Sequence, residues 1–456
     1  VSGALLCALA VSAEQVRSGA VAKPGAAAAT QAGPATPVAA LALIGGTVVD
    51  VSAEGNSTAD LRDAVVVMRG GEIVAVGPRK TTKIPKDARV VHIDRTYVVP
   101  GLNDVFAGLN SQAQANAYLY KGVTSIVGSD EPGGRRGALL ESARPSPRIR
   151  RLGFIDGMQE APAGLVPLPT AGILRQVEEE VGRGAKVLLL HYQLNAEQVG
   201  LVVKRARDLG LPTIGELGRT TYAQGIEAGI DSFVHASRYS LELASPEMRA
   251  AVAGDPFGPP RTAFYTFLAG LDPNAAAVKG WAERLGASRV ALIPTLSIYY
   301  YDLPEHDNPW KDPVAAILDP KGIHLPVDRD TGQREALPAD VPAGLSPSIY
   351  RIEERYHRGG ARYLAGSGTS AFGTLPGIAL HLELRLLTRV GLTARQALAA
   401  ATSNVGEVYR WPLGKVAAGY DADLVVVNAD PTVDIRNLEK IRMVVLRGEI
   451  VNRQAL

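Results

Sequence analysis

Apolar and polar positions change rhythm twice along the chain. Over residues 41–99, short β-branched runs alternate with turn residues: Ala42-Leu43-Ile44, Ala64-Val65-Val66-Val67-Met68, Ile73-Val74-Ala75-Val76 and Val90-Val91-His92-Ile93. This spacing predicts strands, with Arg69-Gly70-Gly71 as the turn of a hairpin. So few strands leave open edges and need a partner. The far end supplies one in Ala422-Asp423-Leu424-Val425-Val426-Val427 and in a second hairpin over residues 442–451. The pattern therefore predicts a composite β-sandwich domain built from the N- and C-terminal segments, residues 41–97 plus 412–456. Between them the rhythm becomes strand, then amphipathic helix. Strands are expected at Gly122-Val123-Thr124-Ser125-Ile126-Val127, Ala185-Lys186-Val187-Leu188-Leu189-Leu190, Pro212-Thr213-Ile214-Gly215, Asp231-Ser232-Phe233-Val234-His235, Val290-Ala291-Leu292-Ile293 and Ala361-Arg362-Tyr363-Leu364. A helix carrying Val199, Val202, Val203, Ala206 and Leu209 stops at Gly210. Repeated βα units predict an α/β fold, a TIM (β/α)8 barrel over residues 98–411 with its chemistry at the C-terminal strand ends. Residues 299–348 are crowded with Pro and Asp and lack periodicity, which predicts a long loop over the barrel mouth.

Composition narrows the function classes. The 456 residues are 46% hydrophobic and 21% charged, with a formal net charge of +2. That balance is too weak to argue for nucleic acid or an anionic membrane surface. The single cysteine, Cys7, excludes an intrachain disulfide framework and a multi-cysteine metal site. Residues 4–11 form an apolar run too short to span a bilayer, followed by the small residues Val11-Ser12-Ala13. Residues 1–40 are therefore read as a signal-peptide remnant and flexible leader. The expectation is an exported protein, periplasmic or extracellular, with no membrane span.

The candidate chemistry centres on Val98-Val99-Pro100-Gly101-Leu102-Asn103-Asp104-Val105-Phe106-Ala107-Gly108. Two β-branched residues enter a Pro-Gly hinge and leave it as an apolar strand. Further pieces in order are Gly122-Val123-Thr124-Ser125, Ile226-Glu227-Ala228-Gly229-Ile230-Asp231-Ser232, Gly391-Leu392-Thr393-Ala394-Arg395-Gln396-Ala397-Leu398 and Gly419-Tyr420-Asp421-Ala422-Asp423-Leu424. With these motifs the chain resembles the amidohydrolase superfamily, in its imidazolonepropionase and prolidase-like branch, over most of its length.

The resemblance implies a hydrolase of amide, peptide or cyclic C–N bonds, in which one or two divalent metals activate a water. It also implies which residues should hold those metals, and here most are replaced. The two histidine positions of the first barrel strand are Phe106 and Gly108. The lysine position is Leu189, the following histidine position is Glu216, and the aspartate that accepts the water proton is Gly368. His235 alone keeps its identity, and Asp104 matches a supporting aspartate. Phenyl, glycyl and leucyl side chains offer zinc no lone pair. Lys186 lies three residues before the lysine position, and strand alternation turns it to the other face. Tyr192, Tyr299, Tyr300, Tyr301 and Trp310 are candidates to line a cleft or to pack the loop. His381 and Glu383 are read as structural.

Two readings follow. In the first the protein is an inactive homologue with a degenerate metal site and no cofactor, binding a ligand in the old pocket or serving as a subunit of a homo-oligomer or heteromeric complex. A hydrogen bond between Glu216 and His235, or a pairing of Glu216 with Arg219 or Arg238, would then hold the disused pocket. In the second, His191, Glu216 and His235 form a rebuilt site for one zinc or other divalent metal, since His₂Glu is an accepted zinc set. The chain would then hydrolyse peptide-like or cyclic amides.

Overall fold

The computed structural model describes residues 39–128, 139–161, 164–256, 258–303, 305–319, 328–332, 341–369 and 374–456. The leader falls outside them except for its last two residues, as do parts of the 299–348 loop.

Five strands of the N-terminal region are β1 (Leu41–Ile44), β2 (Thr47–Val48), β3 (Ala64–Arg69), β4 (Glu72–Pro78) and β5 (Arg89–His92); β6 (Tyr97–Pro100) follows. The β3–β4 hairpin turns on Gly70 and Gly71, both at positive φ (62° and 86°). That is the conformation a tight hairpin turn asks of its two central residues. At the C-terminus lie β17 (Leu424–Val427), β18 (Ile441–Leu446) and β19 (Glu449–Ile450). One sheet runs β4-β3-β1-β5, and a second runs β19-β18-β17-β6-β2. The second joins the two ends of the chain: β17 pairs antiparallel with β6, Leu424 opposite Pro100 and Val427 opposite Tyr97. Leu43, Val66 and Met68 of the first sheet share an apolar cluster with Val98, Leu424 and Val426 of the second.

From β6 the chain passes through Gly101 into the larger sheet. A Cβ at Gly101 would sit 2.0 Å from Thr124 Oγ1, so only glycine lets the backbone pass. The sheet comprises β7 (Leu102–Ala107), β8 (Val123–Gly128), β9 (Arg148–Ile155), β12 (Val187–Leu190), β13 (Thr213–Gly215), β14 (Ser232–Val234), β15 (Ala291–Ile293) and β16 (Arg362–Tyr363); β10 (Met158–Ala161) and β11 (Gly164–Pro167) form a side hairpin. Its order is β7-β8-β9-β12-β13-β14-β15-β16, and every pairing is parallel. β7, β8 and β12 are buried along their whole length, the pattern of parallel strands covered on both faces. The sheet curls until its edge strands meet: Val105 N donates to Ala365 O at 3.1 Å and Gly368 N to Phe106 O at 2.8 Å. The helix Ala196–Asp208 packs outside it and opens with a capping box, Asn195 and Gln198 exchanging side-chain and backbone bonds.

Within the larger sheet the patterning missed β9, and the side hairpin β10–β11 was not predicted either. The β9 segment reads Arg148-Ile149-Arg150-Arg151 and looks like surface. The arginines are instead held by charge: Arg148 Nε lies 2.6 Å from Asp423 Oδ2, Arg150 Nη2 3.2 Å from Asp421, and Arg151 Nη2 3.2 Å from Glu141. The 299–348 stretch is also less irregular than expected, with short helical turns at Ser297–Tyr300, Pro309–Lys311 and Pro313–Ile317 and a helix at Leu345–Arg358. No helix among the described residues is long and apolar enough to cross a membrane.

The helix Ile378–Arg389 buries two polar side chains against the sheet. His381 Nε2 meets Lys121 O at 2.7 Å, and Glu383 Oε2 accepts from Ser297 N at 2.7 Å. Burial raises the Glu383 carboxyl to about 8, against hydrogen bonds from Ser297 that lower it; neighbouring Asp104 adds a further upward push. The native state thus holds a proton that an unfolded glutamic acid releases near 4.5. Its contribution is intact below that pH and is lost as pH rises toward 8, by about 1.4 kcal/mol per unit for one proton. Glu383→Gln mimics the neutral acid. Urea melts of both proteins from pH 5 to 9 should show the variant gaining on the parent up to about pH 8, then levelling. A constant difference across that range would refute the assignment.

Candidate functional site

Strands β12, β13 and β14 end at Leu190, Gly215 and Val234, and the next residues are His191, Glu216 and His235. The ladder continues into each: His191 N donates to Ile155 O (3.0 Å), Glu216 N to Leu190 O (2.8 Å) and His235 N to Ile293 O (3.0 Å). The three residues singled out in the sequence therefore share one rim, at the C-terminal ends of consecutive strands.

Each is held by a different neighbour. His235 sits at φ 55°, and its Nδ1 lies 2.5 Å from Thr295 Oγ1. The Thr295 hydroxyl donates to Pro294 O at 2.6 Å, so it accepts from Nδ1–H. In the neutral ring this leaves the lone pair on Nε2. That nitrogen is 3.6 Å from Glu216 Oε1, beyond hydrogen-bond reach, so the expected Glu216–His235 bond is not formed. Glu216 Oε1 accepts the Tyr192 hydroxyl at 2.5 Å, while its Oε2 is 3.9 Å from His191 Nε2. The His191 ring lies between Phe154 and Tyr192, with centroids 4.6 and 4.0 Å away. Burial, and then the positive charge of Arg261, push its pKa down to about 3, so the imidazole is neutral at pH 7.

The replaced positions are filled or closed. The Phe106 ring meets the His235 ring edge-on at 5.6 Å and 86°. Leu189 lies in the interior apolar cluster with Phe106, Val127, Ile214, Val234 and Ile293. Gly108 is buried, and its carbonyl accepts the Tyr118 hydroxyl at 2.9 Å. Gly368 has φ 67°, and a Cβ there would come 2.6 Å from Ile298 Cγ2, so the backbone admits no aspartate without moving. Lys186 is exposed, as strand alternation requires, and cannot serve as the missing lysine. Among the described residues no three His, Cys, Asp or Glu side chains form a group able to hold a metal ion. The donor set present does not fit the metal pair that the superfamily resemblance implies.

Sequence reasoning placed two cations wrongly. Arg219 Nε donates to Gln193 Oε1 at 2.8 Å, and Arg238 stacks on Tyr265 with its guanidinium carbon 4.7 Å from the ring centre. Trp310 packs away from the rim with Ala117, Val314 and Leu375. Tyr300 donates to Asp307 at 3.2 Å. Thr295, Tyr239 and Arg261 were missed. Thr295 lies two residues past β15 and could have been found by counting from the strand end. Arg261 carries no such signal, because it comes from the helix Pro259–Ala269 inserted between β14 and β15.

Residues 283–451 match the model of the amidohydrolase family. Among solved structures, a Bifidobacterium longum protein assigned as a prolidase is similar, with 21% identity, TM-score 0.61, and 91% of this chain and 95% of that one covered. A Xaa-Pro dipeptidase with methionine bound in its active site is 16% identical with TM-score 0.59, covering 90% and 99%. Phenylurea hydrolase B is 18% identical with TM-score 0.60, covering 91% and 98%. No curated protein sequence matches the chain. The family match covers residues 283–451, and the chain shares its fold with these hydrolases along nine-tenths of its length.

Proposed function

We propose that this protein is a non-catalytic member of its superfamily, exported, that binds a ligand at the barrel mouth. In this reading residues 98–411 are the TIM barrel, and residues 41–97 and 412–456 pack as one β-sandwich beside it. The observation that carries it is the Phe106 ring packed edge-on against His235, where the resemblance puts imidazole ligands. The crowding at Gly368 supports it, since no general base can stand there. The solved relatives are a prolidase, a dipeptidase and a hydrolase of phenylureas by their descriptions. This chain keeps their framework, while Phe106, Gly108, Leu189 and Gly368 stand without a donor atom at positions where the resemblance puts metal-site residues.

A second reading has one specific observation in its favour. His191 Nε2 and His235 Nε2 stand 3.9 and 3.6 Å from the two oxygens of one carboxylate. If these donors converged on a single zinc or similar ion, the site would be a rebuilt hydrolase for peptide-like or cyclic amide bonds. Elemental analysis separates the two. The protein purified without chelator should contain zinc, manganese and iron only far below one per chain, including after incubation with each. A screen of dipeptides and cyclic amides with added Zn²⁺ or Mn²⁺ should give no turnover. Chelator-sensitive cleavage abolished by His235→Ala would defeat the non-catalytic reading.

The polar cluster also predicts a coupling. The short bond from Tyr192 to Glu216 is to a carboxylate, so Tyr192→Phe should destabilise the fold by about 1.5–3 kcal/mol. In a Glu216→Gln background the same change should cost less, because the acceptor is no longer charged. Denaturant melts of the four proteins give the coupling energy, and strict additivity would contradict the bond's role.

A further inference from the structure

The rim holds guanidinium nitrogens with no hydrogen-bond partner among the described residues. Arg261 is 6% exposed. Its Nε donates to Pro256 O at 3.0 Å, but both terminal nitrogens are buried without a hydrogen-bond partner among the described residues. The guanidinium carbon lies 4.8 Å from the Tyr239 ring centre and 5.5 Å from that of Tyr192. A Cβ at Gly218 would come 3.1 Å from Nη2, so the glycine makes room for the group. Arg238, three residues past His235, faces the same tyrosine: its guanidinium carbon is 5.5 Å from Tyr239 and 4.7 Å from Tyr265. Its Nε too is buried without a hydrogen-bond partner among the described residues.

A buried guanidinium with its fork unbonded is unfavourable, and stacking on rings satisfies none of its N–H donors. Those donors point to a ligand atom. A planar fork is matched by a planar acceptor pair, which is the shape of a carboxylate. The fork is cationic, so the acceptor pair that suits it is anionic. Tyr192 meets Tyr239 edge-on (5.1 Å, 78°) and Tyr265 lies tilted beside Tyr239 (6.4 Å, 35°), which lines the rim with aromatic surface. His191, Tyr192, Arg238 and Tyr265 are only half-buried, so the rim is reached from solvent.

We propose that Arg261, assisted by Arg238, is the recognition group for a small organic monocarboxylate with an aromatic or other apolar body, bound across the tyrosine-lined rim. This rests on the reading of the barrel mouth as a ligand site, and it holds whether or not that site is hydrolytic.

The test is calorimetric titration of the full chain with phenylacetate, with the isosteric phenylacetamide, and with inorganic phosphate. Phenylacetate should bind at least tenfold more tightly than the amide. Arg261→Gln should abolish that difference, and Arg261→Lys, which keeps the charge without the fork, should recover part of it. Thermal melts of each variant check folding. If Arg261→Gln does not fold, the wild-type preference and its loss in Arg238→Gln carry the test. Equal binding of acid and amide would overturn the carboxylate proposal while leaving the mouth a ligand site. Phosphate binding that depends on Arg261, without phenylacetate binding, would overturn the assigned class. Binding of none of the three, with Arg261→Gln lowering the melting temperature, would mean that the chain itself satisfies the arginine and would overturn the proposal. The same silence with an unchanged melting temperature would overturn it as well, and would also count against the ligand-site reading.

Discussion

The barrel depends on one buried carboxylate. Asp104 has no exposure, and it accepts from both the amide of Ser367 (2.8 Å) and its hydroxyl (2.5 Å). A carboxylate in such surroundings is tolerable only when its oxygens are bonded this closely. Ser367 lies 263 residues along the chain, and the bond fixes the first strand of the sheet against the segment that follows the last. Strand alternation then sets what stands at Phe106, two residues on and on the same face. Its side chain turns into the interior, where Gly366 leaves the space: a Cβ there would sit 2.9 Å from Phe106 Cβ. Phe106 and Gly366 are thus one packing solution, since any side chain at Gly366 would meet Phe106 and Ile293.

Much of this was legible in the sequence, for a physical reason. Parallel strands buried on both faces are nearly pure apolar runs, so the stretches ending at Leu190, Gly215, Val234 and Ile293 stand out, and the residue after each is the one that reaches the rim. Glu216 and His235 came from the family resemblance, and His191 from its place two residues past Leu189 on the same strand face. The strand Arg148–Ile155 was not legible, because its outward positions are arginines neutralised by Asp421 and Asp423 from the far end of the chain. A local pattern carries no trace of a partner that distant.

The same limit explains the errors at the rim. Residue type and strand position told that Glu216 faces the mouth but not which neighbour takes it. Tyr192 was counted among loop-packing aromatics, yet it is the hydroxyl that holds Glu216. Arg238 follows His235 by three residues and looks placed to pair with a carboxylate. The short helix Ala236–Tyr239 carries it instead over Tyr265.

At the rim each polar side chain has a restraint of its own: a hydroxyl from Thr295 on His235, a hydroxyl from Tyr192 on Glu216, and two aromatic faces on His191. Tyr192 serves twice, since its ring stacks on His191 while its oxygen bonds Glu216. The electrostatics agree with the geometry. His191 is held neutral by burial and by Arg261, so it adds no cation to a rim that already has two arginines. A neutral imidazole, a carboxylate bonded to a tyrosine and two ring-stacked guanidiniums therefore share the rim. In the proposed ligand site such groups would select among ligands by the sign and planarity of their charge, which an apolar plug alone could not do.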